Sequence, residues 1–240
     1  MNYNIISTGS HGNAVIVEHK TLIDCGVPFK KIEPYVQGLS LVLLTHRHGD
    51  HFNKRTISRI AANRPTVRFV CGKWLVPLLI QCGVSIGKID ICKEGYCYSY
   101  KLQNQTVKVR MFPLTHNVKN CGYVLDIAGK RLMYATDTNN LNGISEPSCN
   151  VYMIEANHTT EDIKRRIEEK KAAGIFAYEI EAAKNHLSKE KADEWLSKNA
   201  PLDAEIIYMH QHIDREETTS VKQSHFNGAA DCRSGAQANA

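Results

Sequence analysis

One short segment of the chain contains four side chains of the kinds that bind metal ions. These residues are His46, His48, Asp50 and His51. The preceding residues, Leu41-Val-Leu-Leu-Thr, are apolar and predict a buried strand. The loop that follows this strand then lies at the carboxyl edge of a sheet, where α/β proteins usually place their sites. In a tightly turning loop, His46 and His48 can face one metal ion while Asp50 and His51 face a second.

Three further predicted strands end on a residue that can bind a metal. Those terminal residues are His116, Asp137 and His210. Their positions predict that they meet at one edge of a sheet or of a pair of sheets. A single histidine at a strand end is more often an ordinary surface residue, and a His-rich surface loop or a lone zinc site is the alternative for the first segment. The four strand ends together predict a two-metal site.

The order of these residues resembles the metallo-β-lactamase fold superfamily in its binuclear, hydrolytic form. The resemblance covers nearly the whole chain up to about Asp214, and Asp24-Cys-Gly26 matches a strand end typical of that fold. It implies an α/β fold, a four-layer αβ/βα sandwich. It also implies a ligand set with His46, His48 and His116 on one metal, Asp50, His51 and His210 on the other, and Asp137 bridging. The true β-lactamases usually lack the histidine found at His51, which argues against that activity.

Other motifs resemble nucleases within this superfamily. The opening Ser7–Ala14, Val151–His158 and Asn185–Ala192 resemble the YycJ/WalJ-like exonucleases. More distantly, Glu155-Ala156 and His186-x-Ser188 resemble paired motifs of the transfer-RNA 3′-processing ribonuclease Z, in which the matching histidine protonates or holds the scissile phosphate.

The chain departs from these relatives in several respects. His11 replaces a small residue of the first loop, and His210-Gln-His212 replaces His-Leu-Ser or His-Phe-Ser. The flexible arm of ribonuclease Z and the inserted domain of the β-CASP nucleases are both absent from the sequence. The ligand set is unchanged by these differences, whereas the contacts to substrate are put in doubt.

The predicted mechanism is hydrolysis by a hydroxide that bridges two divalent metal ions. Two cations lower the pKa of a shared water, and they offset the charge that grows on the phosphoryl oxygens. Asp50 is expected to hold one metal and orient the hydroxide, and His186 to protonate the leaving alkoxide. Zinc suits an imidazole-rich site, and manganese is the alternative. The predicted substrate-binding residues are Asn13, His158 and Ser188. For His158, a role in tying down its loop is an equal alternative, and Ser188 also begins a helix.

Composition agrees with a soluble cytoplasmic enzyme. Residues 1–219 are predicted to form the hydrolase domain, and residues 220–240 a disordered tail. No apolar stretch reaches membrane length, and the eight cysteines, which include no Cys-x-x-Cys pair, suggest reduced thiols. The net charge of +5 suits an anionic substrate. Helices are expected near 53–63, 73–82, 160–172 and 188–199, the second bent at Pro77.

The function predicted from the sequence is a binuclear metal-dependent phosphodiesterase, a nuclease acting on DNA or RNA ends. The alternative substrate is a small cyclic nucleotide or a cyclic oligonucleotide, as hydrolysed by phage-encoded members of this fold that blunt bacterial immune signalling. Thioester or lactone hydrolysis is a third hypothesis, but it leaves His186-Leu-Ser188 without a role. A non-catalytic binding module would need a damaged ligand set, which this chain does not have. The expected partners are the phosphodiester substrate and a second copy in a homodimer, with no membrane.

Overall fold

Two mixed six-stranded β-sheets face each other, with helices on both outer sides. This computed structural model describes residues 1–102 and 105–211. The first sheet follows chain order: β1 (Tyr3–Ser7), β2 (Ala14–Val17), β3 (Thr21–Ile23), β4 (Leu41–Leu44), β5 (Arg68–Cys71) and β6 (Ile89–Ile91). The second sheet runs, from edge to edge, β12 (Glu205–Met209), β11 (Val151–Glu155), β10 (Lys130–Ala135), β9 (Asn120–Ile127), β8 (Gln105–Leu114) and β7 (Cys97–Leu102).

Each sheet changes from antiparallel to parallel pairing along its width. Strands β3 to β6 pair in parallel, as do β10, β11 and β12, whereas the remaining pairs are antiparallel. Parallel strands need crossover connections, and helices supply several of these. The helices are α1 (Phe29–Ile32), α2 (Lys54–Asn63), α3 (Val76–Gln81), α4 (Thr160–Ala172), α5 (Glu179–Asn185) and α6 (Lys189–Asn199).

Alternating side chains of β4 show why the sandwich has four layers. Leu41 and Leu43 point into the core between the two sheets, where they join residues of the second sheet such as Tyr123. Val42 and Leu44 point the other way, into the core that contains residues of α1, α2 and α3. A strand covered on both faces is apolar at every position, as in this segment. The predicted αβ/βα sandwich is therefore confirmed.

The structure differs from the predicted elements in several places. The segment expected as one bent helix is divided into a 3₁₀ turn (Lys73–Leu75) and α3, with Pro77 in the first turn of α3. Proline is tolerated there because the first N–H groups of a helix have no partner within the helix. Four short elements were not predicted from the sequence: β6, β7, α1 and α5, which are three, six, four and seven residues long. Such short elements carry too little periodicity to be recognised.

The sequence also led to predictions about the domain boundary, membrane spans and the cysteines. The domain boundary at residue 219 and the tail 220–240 lie outside the described residues. Within the described ranges, no helix is long and apolar enough to cross a membrane. The cysteines in those ranges are all unpaired, and Cys97 is the exposed one among them.

A carboxylate joins the starts of α4 and α6, which gives a pH-dependent contribution to stability. Glu190 accepts hydrogen bonds from the Thr160 N–H at 2.9 Å and from its hydroxyl at 3.0 Å. Burial alone would raise the pKa of Glu190, but these bonds lower it to about 2. A lowered folded-state pKa stabilises above the unfolded pKa of about 4.3, and this stabilisation is lost as pH falls towards 2.

Replacing Glu190 by glutamine is therefore expected to lower the free energy of unfolding at pH 7, by less than about 1 kcal/mol because the site is exposed. The deficit should shrink between pH 7 and pH 3, as measured by urea unfolding of metal-free protein. Glu168→Gln is the matched control, since Glu168 is an exposed carboxylate of α4 that makes no ion pair with the described residues. A deficit for Glu190→Gln that is independent of pH would contradict the argument.

Candidate metal centre

Four strand ends bring the predicted ligands to one edge of the sandwich. His46 follows β4 of the first sheet, whereas His116, Asp137 and His210 follow β8, β10 and β12 of the second. The loop after β4 turns tightly, because the N–H groups of His51 and Phe52 both donate to the His48 carbonyl, at 3.0 and 2.7 Å. All seven predicted ligands therefore come together: His46, His48, Asp50, His51, His116, Asp137 and His210.

Three of these histidines form a group that we call the three-histidine set: His46, His48 and His116. Their ligand nitrogens lie within 4.8 Å of one another. His46 Nε2 is 3.1 Å from His48 Nδ1, which is 3.3 Å from His116 Nε2. Burial lowers the pKa of each of these imidazoles. The neutral form is the one that binds metal, so burial favours the form that the site needs.

A second group, the mixed set, contains Asp50, His51, Asp137 and His210, again with ligand atoms within 4.8 Å. His210 Nε2 is 3.3 Å from Asp50 Oδ2 and 3.6 Å from Asp137 Oδ1. Asp137 Oδ2 contacts His51 Nε2 and also lies 3.7 Å from His46 Nε2 of the three-histidine set. Asp137 therefore lies between the two sets, where a bridging ligand would have to be.

The buried charges of the mixed set fit a bound cation. Asp137 Oδ2 is buried and accepts no hydrogen bond of acceptable geometry, although histidine nitrogens surround it. Burial opposes charge on His210, but Asp137, Asp50 and Glu155 raise its pKa to about 10. Burial likewise opposes charge on His51, whose pKa Asp137 and Asp24 raise well above its usual value. The carboxylates thus concentrate negative charge that a divalent cation would balance. The donor sets fit two such ions.

A buried aspartate outside the predicted ligand set orients His51. Asp24 Oδ2 lies 2.6 Å from His51 Nδ1 and accepts a hydrogen bond from the Tyr134 hydroxyl at 3.1 Å. Its Oδ1 accepts the Thr45 N–H at 3.0 Å, next to His46. A carboxylate on the far nitrogen of a metal-binding histidine fixes the ring and its tautomer. Asp24 belongs to the Asp-x-Gly strand end of the sequence, but no role was predicted for it; its position at a strand end was the available signal.

Asn13, predicted to contact substrate, is completely buried. Its side-chain amide lies 3.1 Å from the Gly9 carbonyl, 3.2 Å from the Asp50 carbonyl and 2.8 Å from His51 Nε2. The Asn13 N–H also donates to the Asp50 carbonyl, at 2.6 Å. The side chain therefore holds the first loop against the metal-binding loop, and its burial keeps it from a substrate.

Gly26 packs directly against the backbone of the metal-binding loop. A Cβ added to Gly26 would lie 1.6 Å from the Asp50 carbonyl oxygen and 2.1 Å from its carbon. No side chain can occupy that space unless the loop moves. Position 26 of the Asp-x-Gly motif is a glycine because the backbone of the loop that carries Asp50 passes directly against it.

His186 and Glu155 form a hydrogen-bonded pair beside the mixed set. Glu155 is completely buried at the end of β11, and its Oε1 lies 2.6 Å from His186 Nδ1. Its Oε2 accepts the N–H groups of Thr138 at 2.8 Å and Leu187 at 3.3 Å. Burial alone would lower the pKa of His186, but Glu155 raises it above its usual value.

The His186 ring contacts two histidines of the ligand sets. Its centroid is 5.3 Å from that of His116 and 5.1 Å from that of His210, on which it stacks. His186 also belongs to a third group of potential ligand atoms, with Asp137, Glu155 and His210. The geometry thus offers His186 two roles, as a metal ligand or as a group that acts on the substrate.

Ser188 and His158 lie next to each other beyond this pair. They form an isolated parallel β-bridge, in which the Lys189 N–H donates to the His158 carbonyl at 2.8 Å. The Ser188 hydroxyl caps α6 by accepting the Lys191 N–H at 3.4 Å. The backbone of His158 therefore ties its loop to the start of α6. Direct contact of either side chain with a substrate remains a prediction.

Several site residues have an unusual backbone conformation. Asp24, Asp137 and His210 have φ values of 56°, 57° and 54°, in the left-handed region that residues other than glycine rarely adopt. Asn120 supports Asp137 by donating to its carbonyl at 2.7 Å and to that of Thr136 at 3.0 Å. Residues held in this region cluster at functional sites, because the surrounding structure must maintain the conformation.

The chain belongs to the beta-lactamase superfamily, since the sequence profile of the beta-lactamase superfamily domain matches residues 19–210. Members of this superfamily are largely metal-dependent hydrolases. A search of curated protein sequences finds no significant match.

Solved structures with this fold resemble the chain over most of its length. The metallo-beta-lactamase fold protein YhfI from Bacillus subtilis has a TM-score of 0.66 at 13% identity, with 90% of this chain and 88% of that chain covered. The short form of human tRNase Z has a TM-score of 0.61 at 14% identity, covering 88% and 92%. A diphosphatase of the PhnP family has a TM-score of 0.55 at 12% identity, covering 90% and 89%. At these identities, the likeness shows the shared fold.

Proposed function

We propose that this protein is a binuclear metal-dependent phosphodiesterase, a nuclease that acts on the ends of DNA or RNA. The observation that carries the proposal is the pair of Glu155 and His186 beside the two ligand sets. A histidine held by a buried carboxylate adds a proton donor, which a phosphodiester with an alkoxide leaving group requires.

In the proposed reaction, the metal ions and Asp50 act on the attacking water. Two divalent ions, which we propose to be zinc with manganese as the alternative, would activate a water and neutralise the phosphoryl oxygens. Asp50 has 24% of its side chain exposed, against 3% for Asp137, so it is the ligand carboxylate that can reach the attacking water. It would accept a hydrogen bond from that water and orient it towards phosphorus.

His186 would donate its proton to the leaving oxygen. Glu155 occupies Nδ1, which leaves Nε2 available to the substrate. Because 18% of the His186 side chain is exposed, the ring reaches the solvent side of the site. Glu155 is a positioning residue in this scheme, since it keeps the imidazole protonated and oriented. The fold shared with a tRNase Z and a diphosphatase supports phosphoester chemistry over thioester or lactone hydrolysis.

Replacing His186 by glutamine is expected to retain both metals and to lower kcat on an oligonucleotide by about 10²–10⁴-fold. The loss should be much smaller on bis-p-nitrophenyl phosphate, because p-nitrophenolate leaves as an anion without needing a proton. Metal content by mass spectrometry and kcat on both substrates are the measurements.

Glu155→Gln is the companion variant, and it should show the same dependence on the leaving group with a smaller loss. If His186→Gln instead releases a metal and loses both activities equally, His186 is a ligand of the third group and the proposed proton donor is wrong.

The proposed function itself is tested with metal-reconstituted protein on bis-p-nitrophenyl phosphate, single-stranded DNA, RNA and a panel of 2′,3′- and 3′,5′-cyclic nucleotides. Metal-dependent shortening of a polymer from one end is the expected result. Turnover of cyclic nucleotides with polymers untouched would replace the nuclease by a cyclic-nucleotide phosphodiesterase. Inactivity on every phosphodiester would refute the proposal in favour of thioester or lactone hydrolysis.

A further inference from the structure

A large cavity opens beside the three-histidine set. Its volume is about 900 Å³, and His116 forms part of its wall. The other wall segments come from the 3₁₀ turn after β5, the end of β6, and the end of β8 with the loop that leads to β9. The cavity therefore extends from the candidate metal centre across the carboxyl ends of strands from both sheets.

The size of this cavity exceeds what a reacting phosphate needs. Pockets for small organic ligands measure about 300–1,000 Å³, and this cavity lies near the upper end of that range. A single phosphoryl group bound at the metals would leave most of it empty. The space thus suits a part of the substrate that continues beyond the scissile phosphate.

Three exposed lysines line the cavity: Lys73, Lys93 and Lys119. Each lacks an ion pair with any of the described residues, and Glu94 is the one acidic side chain of the wall. The basic side chains of α4 differ, because Arg165 is paired with Asp162 and Glu169 on its own helix. Unpaired lysines around a cavity attract polyanions, whereas the charge of α4 is already compensated.

Trp74 gives the same cavity an aromatic wall. Its Nε1–H donates to the Thr45 carbonyl at 3.3 Å, immediately before His46. The ring also packs over Gly72, where an added Cβ would lie 2.2 Å from it. These contacts fix a partly exposed indole next to the ligands. Apolar side chains flank it, including Ile91, which is 42% exposed. A fixed aromatic ring among cations is the usual arrangement for stacking nucleobases.

We propose that this cavity, lined by Trp74, Lys73, Lys93 and Lys119, binds a single-stranded nucleic-acid segment adjoining the scissile phosphate. Trp74 stacks on a base, and the lysines contact successive phosphates. The inference rests on the proposed phosphodiesterase and narrows its substrate to a polymer, because a cyclic mononucleotide offers one phosphate to three lysines.

The test compares two double variants. The cavity variant is Lys93→Gln/Lys119→Gln, and the control is Lys101→Gln/Lys108→Gln. The control pair makes the same charge change on exposed residues of β7 and β8, far along both strands from His116. Binding of a fluorescein-labelled oligothymidylate to as-purified protein is followed by anisotropy at several salt concentrations. The cavity variant should bind about tenfold more weakly, with a salt slope smaller by about 1.4, the value for two lost phosphate contacts on a single strand. The control should stay within twofold of wild type.

Trp74 is tested by Trp74→Phe, which keeps a ring in the core and reduces the stacking surface. A loss of about fivefold in oligonucleotide affinity is expected, towards the low end of reported stacking contributions. Lys93 and Lys119 are exposed, so the lysine variants test the proposal even if Trp74→Phe does not fold.

Hydrolysis separates the two proposals. The ratio of kcat/KM on an oligonucleotide to kcat/KM on bis-p-nitrophenyl phosphate should fall at least fivefold in Lys93→Gln/Lys119→Gln. An unchanged ratio with unchanged affinity, or equal losses in the control pair, would refute the cavity proposal alone. Displacement of the oligonucleotide by a nucleoside diphosphate as effective as unlabelled oligonucleotide would also refute it, in favour of a small ligand. If wild type hydrolyses no phosphodiester but the affinity difference persists, the proposed function fails and the nucleic-acid cavity is supported.

Discussion

Asp137→Ala is expected to abolish hydrolysis and to reduce bound metal together. Asp137 lies between the two ligand sets, 3.7 Å from His46 Nε2 and 3.6 Å from His210 Nε2, and it also contacts His51. Without it, the mixed set keeps Asp50 as its sole carboxylate, and the two sets no longer share a ligand. Losing a bridging ligand removes several kcal/mol of transition-state stabilisation, so we expect a decrease in kcat of about 10³-fold or more.

The measurements for this variant are metal content, kcat and the melting temperature with and without a chelator. In wild type, a metal bound at a hundredfold excess over its Kd stabilises the folded state by about 2.7 kcal/mol, which the chelator removes. That difference should be largely lost in Asp137→Ala. Asp203→Ala changes an exposed carboxylate and serves as the matched control. Full metal content and full activity in Asp137→Ala would show that the two sets do not form the active centre.

Among glycine-to-alanine changes in the site, Gly26→Ala is expected to cause the largest loss of stability and activity. The added Cβ would approach the Asp50 carbonyl oxygen to 1.6 Å, and backbone atoms cannot rotate away as a flexible side chain can. The loop must therefore move, which displaces Asp50 and the following His51 from the mixed set. Overpacking at a buried contact costs about 1–3 kcal/mol, and occasionally more. We expect a destabilisation at the upper end of this range and activity below about 1% of wild type, since small misplacements can cost 10²-fold.

Gly49→Ala provides a control within the same loop. A Cβ at Gly49 would meet nothing within 4 Å, so that variant should retain stability, metal and activity. Thermal unfolding, metal analysis and kcat on bis-p-nitrophenyl phosphate distinguish the two alanines. Similar behaviour of both variants would mean that the crossing of Gly26 over Asp50 does not hold the loop.

The sequence was sufficient to predict the ligand candidates, because residues of metal-binding types stand at the ends of predicted strands. Four apolar strands each end on histidine or aspartate, and strand ends of neighbouring strands meet in space. The burial of β4 on both faces also follows from the sequence, since strands covered on both faces are apolar at every position. The structure brings these residues together in groups whose potential ligand atoms lie within 4.8 Å of one another.

The residues around the ligands were harder to predict, because their roles depend on what they face. Asn13 looked like a substrate contact, but the fold buries it against the metal-binding loop. No role was predicted for Asp24, although its carboxylate, at the end of the neighbouring strand, orients His51. Lone polar residues carry no periodic signal, and only contacts between distant segments show which partner each one binds.

By itself, the sequence determined the class of fold and the edge at which the site forms, since apolar periodicity and strand ends are local properties of the chain. The tertiary structure decided the rest. It placed Asp137 between two ligand sets, joined Glu155 to His186, and opened a cavity bounded by Trp74 next to His116. These features arise where the two sheets meet, because hydrogen bonding, burial and cavity shape there depend on residues far apart in the chain.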